Sequence, residues 1–306
     1  MNTETKDESM NALEHLRCPV CGGMFLREPS LLRCANGHCF DLAKEGYVNL
    51  LPPGKGKNAR TGDEKAMVRA RQTFLAAGLY NGISDAIASL LQRYLPHDHA
   101  PVLCDSGCGE GYHTLRIADS LSQNRGGALL YGFDASKTAV SYAAKAANRR
   151  MYTGEGGIGT YGGTICAFFP ANIFALPLSD SSVDAVISMF APVAADENLR
   201  VLRENGVLLV ASSGVRHLSE MRALLYNDVH YHEDATAAYE GFTLADTADV
   251  RYTMHVPDSD TLRALWTMTP FYYKTTPEGK ERLFSMESLN CTVDVRLTVY
   301  KKAVTK

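Results

Sequence analysis

The chain has 306 residues, of which 45% are hydrophobic and 21% are charged, and its formal net charge is -3. Such a composition is typical of a soluble protein, and the length suits one large α/β domain with a small appended module. A slightly negative chain has no global basic field, so a nucleic-acid partner would need a local basic patch. No apolar run approaches the roughly 20 residues of a membrane span, and the polar N-terminus lacks the apolar core of a signal peptide. These features predict a cytoplasmic protein with no membrane partner.

The cysteines near the N-terminus have the spacing of a metal site. The pattern Cys18-x2-Cys21-x12-Cys34-x3-His38 is typical of a tetrahedral zinc site with three thiolates and one imidazole. Cys39 is an alternative to His38, since adjacent side chains usually point apart and only one of the two should bind the metal. Because residues 17–53 have too few apolar side chains for a core of their own, we predict that they form a zinc-binding module.

Segments on either side of this module are predicted to lack regular structure. Residues 1–16 are interpreted as a disordered tail, and residues 54–62, rich in glycine and lysine, as a flexible basic linker. The linker and the helix after it carry a cluster of basic side chains, which could contact phosphates or simply face solvent. This basic cluster consists of Lys55, Lys57, Arg60, Lys65, Arg69 and Arg71.

The rest of the chain, residues 63–306, has the pattern of an α/β domain. Two helices are predicted first, one ending at Gly78 and one over about 83–95. Strands and helices then alternate, an order that predicts βαβ units and a parallel sheet with helices on both faces. The predicted strands lie at 102–105, 128–133, 164–169, 183–189 and 207–212, with helices from about 112, 136 and 194.

Two segments depart from this alternation. Apolar and polar residues alternate strictly from Cys291 to Val299, which predicts an antiparallel last strand with one face in solvent. Six glycines occur between Gly154 and Gly163, and we interpret this segment as an inserted loop without regular structure.

A glycine-rich turn follows the first strand of the α/β domain. The chain passes from Asp105 through Gly107, Gly109 and Gly111 into a helix. Glycines let the backbone bend sharply and approach a ligand, and the amide groups of the helix N-terminus then face it. A dinucleotide would place its pyrophosphate here, but the carboxylates of Asp105 and Glu110 would repel that group. They suit a ligand with cationic ends, such as the ammonium and sulfonium of S-adenosylmethionine.

A second acidic residue, Asp134, ends the next predicted strand. A carboxylate at that place in the fold accepts hydrogen bonds from ribose hydroxyls. Together with the glycine turn it predicts a Rossmann-like, class I methyltransferase domain that binds S-adenosylmethionine. A plain glycine turn with surface acids and a dinucleotide site are the two competing interpretations.

The order of zinc module, linker and α/β domain resembles the bacterial 23S ribosomal RNA guanine-N1 methyltransferases. The resemblance extends over nearly the whole chain, and its most specific part is the run from Asp41 to Pro52. The other matching motifs are Cys18-Pro19-Val20-Cys21, Cys34 to Asp41, Gly62-Asp63, Arg69-Ala70-Arg71, Phe74 to Gly78, Gly107 to Tyr112, Leu176-Pro177-Leu178, Ala191-Pro192, Arg216-His217-Leu218 and Met268 to Phe271.

This resemblance implies a zinc ion, S-adenosylmethionine, and methyl transfer to N1 of a guanine in a 23S rRNA hairpin loop. It also implies that the zinc module recognises RNA, that the basic cluster contacts RNA, and that the protein is a homodimer. Four residues match positions that line the cofactor site in the family, namely Tyr80, Gly109, Glu110 and His217.

Several points stay open at the level of sequence. Ser106 replaces the usual aliphatic residue of the cofactor loop, and the glycine-rich segment is longer than the family pattern, which leaves the target nucleotide undetermined. Phe190 could stack on a flipped guanine or belong to the core. The guanine N1 proton could pass to His217, Asp196 or Glu197, and no spacing singles out one catalytic residue. The alternatives to an RNA methyltransferase are a small-molecule methyltransferase with a structural zinc module and a non-catalytic RNA-binding protein.

Overall fold

The computed structural model describes residues 12–52, 65–150, 152–153, 158–161, 164–227 and 236–303. The predicted linker and three members of the basic cluster, Lys55, Lys57 and Arg60, lie outside the described residues. Among the described residues, no single helix is long and apolar enough to cross a membrane. The helices Lys65–Ala76 and Asn81–Gln92 reach the necessary length and apolar composition only together, and the chain bends by 82° between them.

The N-terminal module is built on a small antiparallel sheet. Its three strands are β1 (Phe25–Glu28), β2 (Leu31–Cys34) and β3 (Cys39–Asp41), in the order β1-β2-β3. The β1–β2 pairing brings Phe25 opposite Cys34. Gly22 and Gly37 have positive φ angles of 71° and 81°, which allows the tight turns beside the cysteines.

Two helices lead into the large domain. Helix α1 (Lys65–Ala76) ends before Gly78, whose φ of 75° breaks the helix as predicted, and helix α2 (Asn81–Gln92) follows at once. Both helices bury an apolar face, with Phe74, Ile83 and Ile87 fully inaccessible to solvent.

The centre of the large domain is a parallel sheet, as the alternation of strands and helices predicts. Five parallel strands are β4 (Val102–Ser106), β5 (Leu129–Asp134), β8 (Thr164–Pro170), β9 (Val183–Met189) and β10 (Leu202–Ser213). The helices between and after them are α3 (Tyr112–Arg125), α4 (Lys137–Arg150), α5 (Ala195–Val201) and α6 (Ser219–Leu225). The carboxyl ends of β4, β5 and β9 therefore meet at one edge of the sheet.

Antiparallel strands extend the sheet on both sides. On one side β12 (Leu289–Lys302) pairs with β10, which agrees with the predicted antiparallel last strand, and β11 (Phe242–Val256) forms the edge. Helices α7 (Ser259–Thr267), α8 (Phe271–Lys274) and α9 (Pro277–Phe284) connect β11 to β12. The full order is β11-β12-β10-β9-β4-β5-β8-β7-β6.

The interpretation of the glycine-rich segment Gly154–Gly163 as a loop without regular structure is wrong for residues 158–161, which form a strand. Backbone strands β6 (Tyr152–Thr153) and β7 (Ile158–Tyr161) form an antiparallel hairpin that pairs with β8. Glycine lacks a side chain to pack but keeps its amide and carbonyl groups, so it can join a ladder when β8 offers a free edge.

The two faces of the large sheet are covered differently. One face packs against α1, α2, α3, α4, α6 and α7 around Leu103, Leu130 and Ile187. The other face, around Cys104, Tyr131 and Leu208, packs largely against the N-terminal segment, which contributes Leu16, Phe25, Leu32, Val48 and Leu50. Helices on both faces were expected, but here the zinc module takes much of the place of a second helical layer.

The predicted disordered tail does not extend through residue 16. Ala12 and Leu16 are fully buried, and Leu13 is 8% exposed. Leu16 pairs with Leu178, and the Tyr131 hydroxyl donates a hydrogen bond of 2.7 Å to the Ala12 carbonyl. Burial of these apolar side chains against the sheet holds residues 12–16 in place. The remainder of the predicted tail, residues 1–11, lies outside the described residues.

Candidate functional site

The four residues of the predicted metal site come together in the N-terminal module. The ligand atoms of Cys18, Cys21, Cys34 and His38 all lie within 4.8 Å of one another. The His38 Nδ1 atom is 3.7 Å from the Cys18 Sγ and 3.3 Å from the Cys34 Sγ, and the Cys21 and Cys34 Sγ atoms are 3.6 Å apart. The turns at Gly22 and Gly37 and the β1–β2 pairing create this arrangement.

The arrangement fits a zinc ion. Four thiolate and imidazole donors around a tetrahedral ion with Zn–S bonds of about 2.3 Å would have their sulfur atoms about 3.8 Å apart. The Gly23 amide, donating to Cys21, is the largest cause that lowers the pKa of this thiol to about 6, so the side chain favours the thiolate that a metal needs. Cys39 is exposed and its thiol points to the Gly37 carbonyl at 3.3 Å, outside the group of four. The geometry therefore favours His38 over Cys39.

The glycine turn after β4 is tightly enclosed. Gly107, Gly109 and Gly111 have φ angles of 99°, 55° and 78°, which L side chains rarely adopt. A Cβ atom on Gly107 would lie 2.6 Å from the Cβ of Ala191, and one on Gly111 would lie 2.8 Å from the Cβ of Ala143. The turn therefore requires glycine both for its conformation and for the close approach of neighbouring elements.

Two carboxyl groups are buried at this turn. Asp105 is 2% exposed and accepts a hydrogen bond from the Thr114 hydroxyl, and burial raises the pKa of its carboxyl to about 7. Burial also raises the pKa of Glu110, against the opposing effect of Arg71, whose Nη1 lies 3.3 Å from the Glu110 Oε2. Nearby acids that repel one another in a dry site are stabilised by a cation. This charge distribution fits the cationic groups of S-adenosylmethionine better than a pyrophosphate.

Asp134, the last residue of β5, binds the glycine turn through a hydrogen bond. Its Oδ2 accepts a hydrogen bond of 3.0 Å from the Gly109 amide, and its Oδ1 accepts one of 2.7 Å from the Ser136 amide. A carboxylate at the end of this strand is the group that accepts hydrogen bonds from ribose hydroxyls in nucleotide-type sites. Asp134 also lines the cavity in front of the turn.

A tyrosine and a histidine from distant parts of the chain meet in the wall of this cavity. The Tyr80 hydroxyl and the His217 Nε2 are 3.1 Å apart in a buried contact. The Asp294 amide donates to His217 Nδ1 at 3.3 Å, so a neutral His217 carries its proton on Nε2 and donates it to Tyr80. Burial lowers the pKa of His217 to about 4 and keeps it neutral. The Tyr80 hydroxyl proton is thereby directed to another acceptor, which a ligand in the cavity would supply.

These residues surround one large cavity at the carboxyl edge of the sheet. Its volume is about 1060 Å³, more than the roughly 300–1000 Å³ of most single-ligand pockets. Six of the eight predicted cofactor residues line it, whereas Asp105 and Gly111 belong to the turn but do not line the cavity. The six are Tyr80, Gly107, Gly109, Glu110, Asp134 and His217.

The comparisons with known proteins agree with both halves of the chain. A model of the RlmA N-terminal zinc ribbon matches residues 16–60, and a methyltransferase-domain model matches residues 97–255. The 23S rRNA (guanine(748)-N(1))-methyltransferase of Streptomyces fradiae is 30% identical over 277 residues, which cover 89% of this chain and 90% of that protein. A protein of Micromonospora griseorubida, provisionally named a 23S rRNA (guanine-N1)-methyltransferase, is 36% identical over 225 residues, 68% of this chain and 69% of that one.

The chain belongs to the 23S rRNA (guanine-N1)-methyltransferase family. A third relative, from Bacillus subtilis and also provisionally named for this activity, is 29% identical over 94% of this chain and 96% of its own length. The matched zinc ribbon, the methyltransferase domain and the sheet order agree with a class I methyltransferase fold that carries an N-terminal zinc module.

Not all residues singled out in the sequence reach the cavity of this family member. Among the candidate proton acceptors, only His217 lines it. Glu197 instead binds the Leu176 amide at 2.6 Å and pairs with Arg200. Since His217 Nδ1 already accepts a hydrogen bond and Nε2 carries the proton, His217 is arranged as a donor rather than as a base.

Two features of the cavity wall do not follow from the sequence. Arg71, a member of the basic cluster, pairs with Glu110 at the cofactor turn, while Lys65 and Arg69 remain exposed. Arg222 of α6 lines the cavity and donates to the His217 carbonyl at 2.9 Å. A single arginine on a short helix carries no sequence signal of its own; only its nearness to the Arg216-His217-Leu218 motif could have indicated it.

Proposed function

We propose that the protein transfers the methyl group of S-adenosylmethionine to N1 of a guanine in a 23S rRNA hairpin loop. The observation that carries this proposal is one cavity of about 1060 Å³ that is lined both by the acidic glycine turn and by the exposed aromatic side chains of Phe174, Phe190 and Tyr273. Such a cavity has room for a cofactor and an extruded base at the same time. Membership of the 23S rRNA (guanine-N1)-methyltransferase family supports the nature of the acceptor.

In this proposal the residues of the turn bind and orient the cofactor. Glu110, which lines the cavity, and the buried Asp105 stabilise the cationic groups of the cofactor. Asp134 accepts hydrogen bonds from the ribose hydroxyls. The Tyr80 hydroxyl, held by His217, donates a hydrogen bond to the cofactor. When bound, S-adenosylmethionine supplies an electrophilic methyl group on its sulfonium. The protein then contributes chiefly by aligning that carbon with the guanine N1, since positioning alone can lower a barrier by about 7–11 kcal/mol. The N–C bond forms as the S–C bond breaks, S-adenosylhomocysteine leaves, and the N1 proton is released to water.

The zinc module has a structural and a recognition role in this proposal. Cys18, Cys21, Cys34 and His38 would hold one zinc ion, which stabilises the turns of a segment that has little core of its own. The module packs on the face of the sheet opposite most helices, and the family resemblance supports a role of its outer surface in RNA recognition. The exposed Lys65 and Arg69 are available for phosphate contacts.

We further propose that the reaction takes place in the cytoplasm and that the protein acts as a homodimer. Both points rest on the family resemblance. Analytical ultracentrifugation should give twice the chain mass of 33.4 kDa. A mass of one chain at micromolar concentration would contradict the dimer and leave the activity proposal intact.

The activity is tested by incubating the protein with tritiated S-adenosylmethionine and unmodified 23S rRNA. Methylation at N1 blocks Watson–Crick pairing, so we expect label in the RNA and a primer-extension stop one nucleotide before a single guanine. A transcript in which that guanine is replaced by adenine should take up no label. Label on a small metabolite but not on RNA would support the small-molecule alternative, and absence of cofactor binding by calorimetry would contradict both enzymatic interpretations.

A further inference from the structure

Phe190 directly follows β9 and lines the cavity. Its backbone has a φ of 51°, in the left-handed region that favours glycine and asparagine. Its amide donates to the Ala211 carbonyl at 3.0 Å, which ties the residue to the end of β10. The next residue, Ala191, contacts the glycine turn at Gly107. Phe190 is thereby held beside the cofactor turn in a conformation that a phenylalanine adopts at a cost.

Burial does not explain why a phenylalanine occupies this position. Its side chain is 46% exposed, whereas Phe133 of β5 and Phe168 of β8 are 0% and 1% exposed. A glycine or asparagine would form the same turn with less strain. A large apolar ring that is both strained and half in solvent contributes little to the core, so a role in binding is the better explanation.

The surroundings of the ring fit a flat ligand. Phe190 stacks on His217, with ring centroids 5.8 Å apart and planes inclined by 28°. Both side chains line the cavity. His217 is itself fixed by Tyr80 and by the Asp294 amide, so it is a firm support for one side of the Phe190 ring, and the exposed remainder of the ring is open to the cavity.

We infer that Phe190 is the platform on which the target guanine stacks, with His217 supporting it from behind. This inference rests on the proposed function and names the residue that would recognise the extruded base. Enzymes that act on a base outside the helix commonly hold it between aromatic or apolar side chains. A purine offers a large π-face, and such stacking needs no sequence-specific hydrogen bond. The location of Phe190 beside Gly107 places a stacked base next to the cofactor turn.

The test compares Phe190→Leu with Phe190→Tyr, and uses Leu244→Ala as a matched control. Leu244 is 57% exposed on β11 and does not line the cavity. For Phe190→Leu we expect the KM for the RNA hairpin to rise at least about tenfold with an unchanged Kd for S-adenosylmethionine. Phe190→Tyr should recover most of the lost affinity because it keeps the ring, and Leu244→Ala should behave as the wild type.

A spectroscopic measurement on the wild type does not depend on how the variants fold. With 2-aminopurine in place of the target guanine, stacking on Phe190 should quench the emission of the extruded base, and Phe190→Leu should relieve this quenching. The inference is overturned if Phe190→Leu methylates RNA with wild-type KM and kcat, or if it loses cofactor affinity as strongly as RNA affinity. It is equally overturned if 2-aminopurine in the wild-type complex is extruded but not quenched. Failure of the proposed function is distinct, because there the wild type itself would leave RNA unlabelled.

Discussion

At the scale of single residues, burial of the ionised Asp105 carboxylate lowers the stability of the folded protein, and we propose that the same charge favours binding of the cofactor. Its carboxyl has a folded-state pKa of about 7, against an ordinary value of 3.8, because burial penalises the charge. Because the pKa of Asp105 is higher in the folded than in the unfolded protein, the protonated side chain favours folding at low pH. This contribution to the free energy of unfolding is lost as the pH rises from about 4, the unfolded pKa, through 7, the folded pKa. The ionised form is retained, we propose, because it attracts the cationic cofactor.

The variant Asp105→Asn tests this balance. We expect its free energy of unfolding to exceed that of the wild type at pH 8, by an amount on the order of 2–4 kcal/mol, and to differ little at pH 4. Urea denaturation at both pH values measures the difference. Calorimetry at pH 8 should show weaker binding of S-adenosylmethionine. An equal stability difference at the two pH values would mean that charge burial is not the cause.

A second residue-scale prediction concerns Asp294, which shapes the loop that carries His217. Its side chain is almost fully buried and accepts hydrogen bonds from the Arg216 amide at 2.9 Å and from Arg251 Nε at 2.7 Å. A Cβ on Gly214 would lie 2.5 Å from its carboxylate, so the loop wraps closely around it. Burial alone would raise the pKa of Asp294, but these donors lower it on balance.

Asp294→Ala should therefore displace the loop without touching the cavity directly. We expect a loss of about 2–3 kcal/mol in stability, typical of an amide and a guanidinium losing a charged partner, together with weaker cofactor binding. The more exposed Arg251→Ala should cost less of both. If the Kd for S-adenosylmethionine is unchanged in Asp294→Ala, the position of His217 does not depend on the Asp294 carboxylate.

At the scale of elements, the zinc module makes a discriminating prediction between neighbouring cysteines. Cys34 ends β2 and its Sγ lies 3.3 Å from His38 Nδ1, whereas Cys39 begins β3 and is exposed outside the group. Purified wild type and Cys39→Ser should each contain about one zinc per chain by elemental analysis. Cys34→Ser should contain far less. Loss of zinc in Cys39→Ser with retention in a His38→Ala variant would reverse the ligand assignment.

How far the sequence predicts these elements depends on how they are stabilised. The sequence predicts strand β9 at its observed bounds because five of its seven residues are apolar. Strand β11 was missed since it is an edge strand with mostly exposed, polar residues, and the β6–β7 hairpin was missed because glycine carries no periodic signal. The metal ligands follow from local spacing. The contact of Tyr80 with His217 joins residues 137 apart, so only the family resemblance, not spacing, pointed to both.

At the scale of the whole molecule, the zinc module and the large sheet form one packed body. The Leu50 amide donates to the Pro170 carbonyl, the Arg17 amide donates to the Pro177 carbonyl, and Asn148 of α4 donates to Glu45. Apolar side chains of the module cover a sheet face that would otherwise meet water. A metal-dependent module in this position couples the zinc ion to the stability of the methyltransferase domain.

Trp266, the only tryptophan, reports on this coupling. It is 6% exposed in α7 and belongs to the core on the opposite face of the sheet from the module. Removing zinc with a strong chelator should lower the Tm read from Trp266 fluorescence by about 5 °C or more, since each kcal/mol lost shifts Tm by about 2–4 °C in a domain of this size. Adding zinc back should restore it, and Cys39→Ser should respond as the wild type does. If the Tm read from Trp266 fluorescence does not change when the zinc is released, the zinc module unfolds independently and the methyltransferase domain does not depend on it for stability.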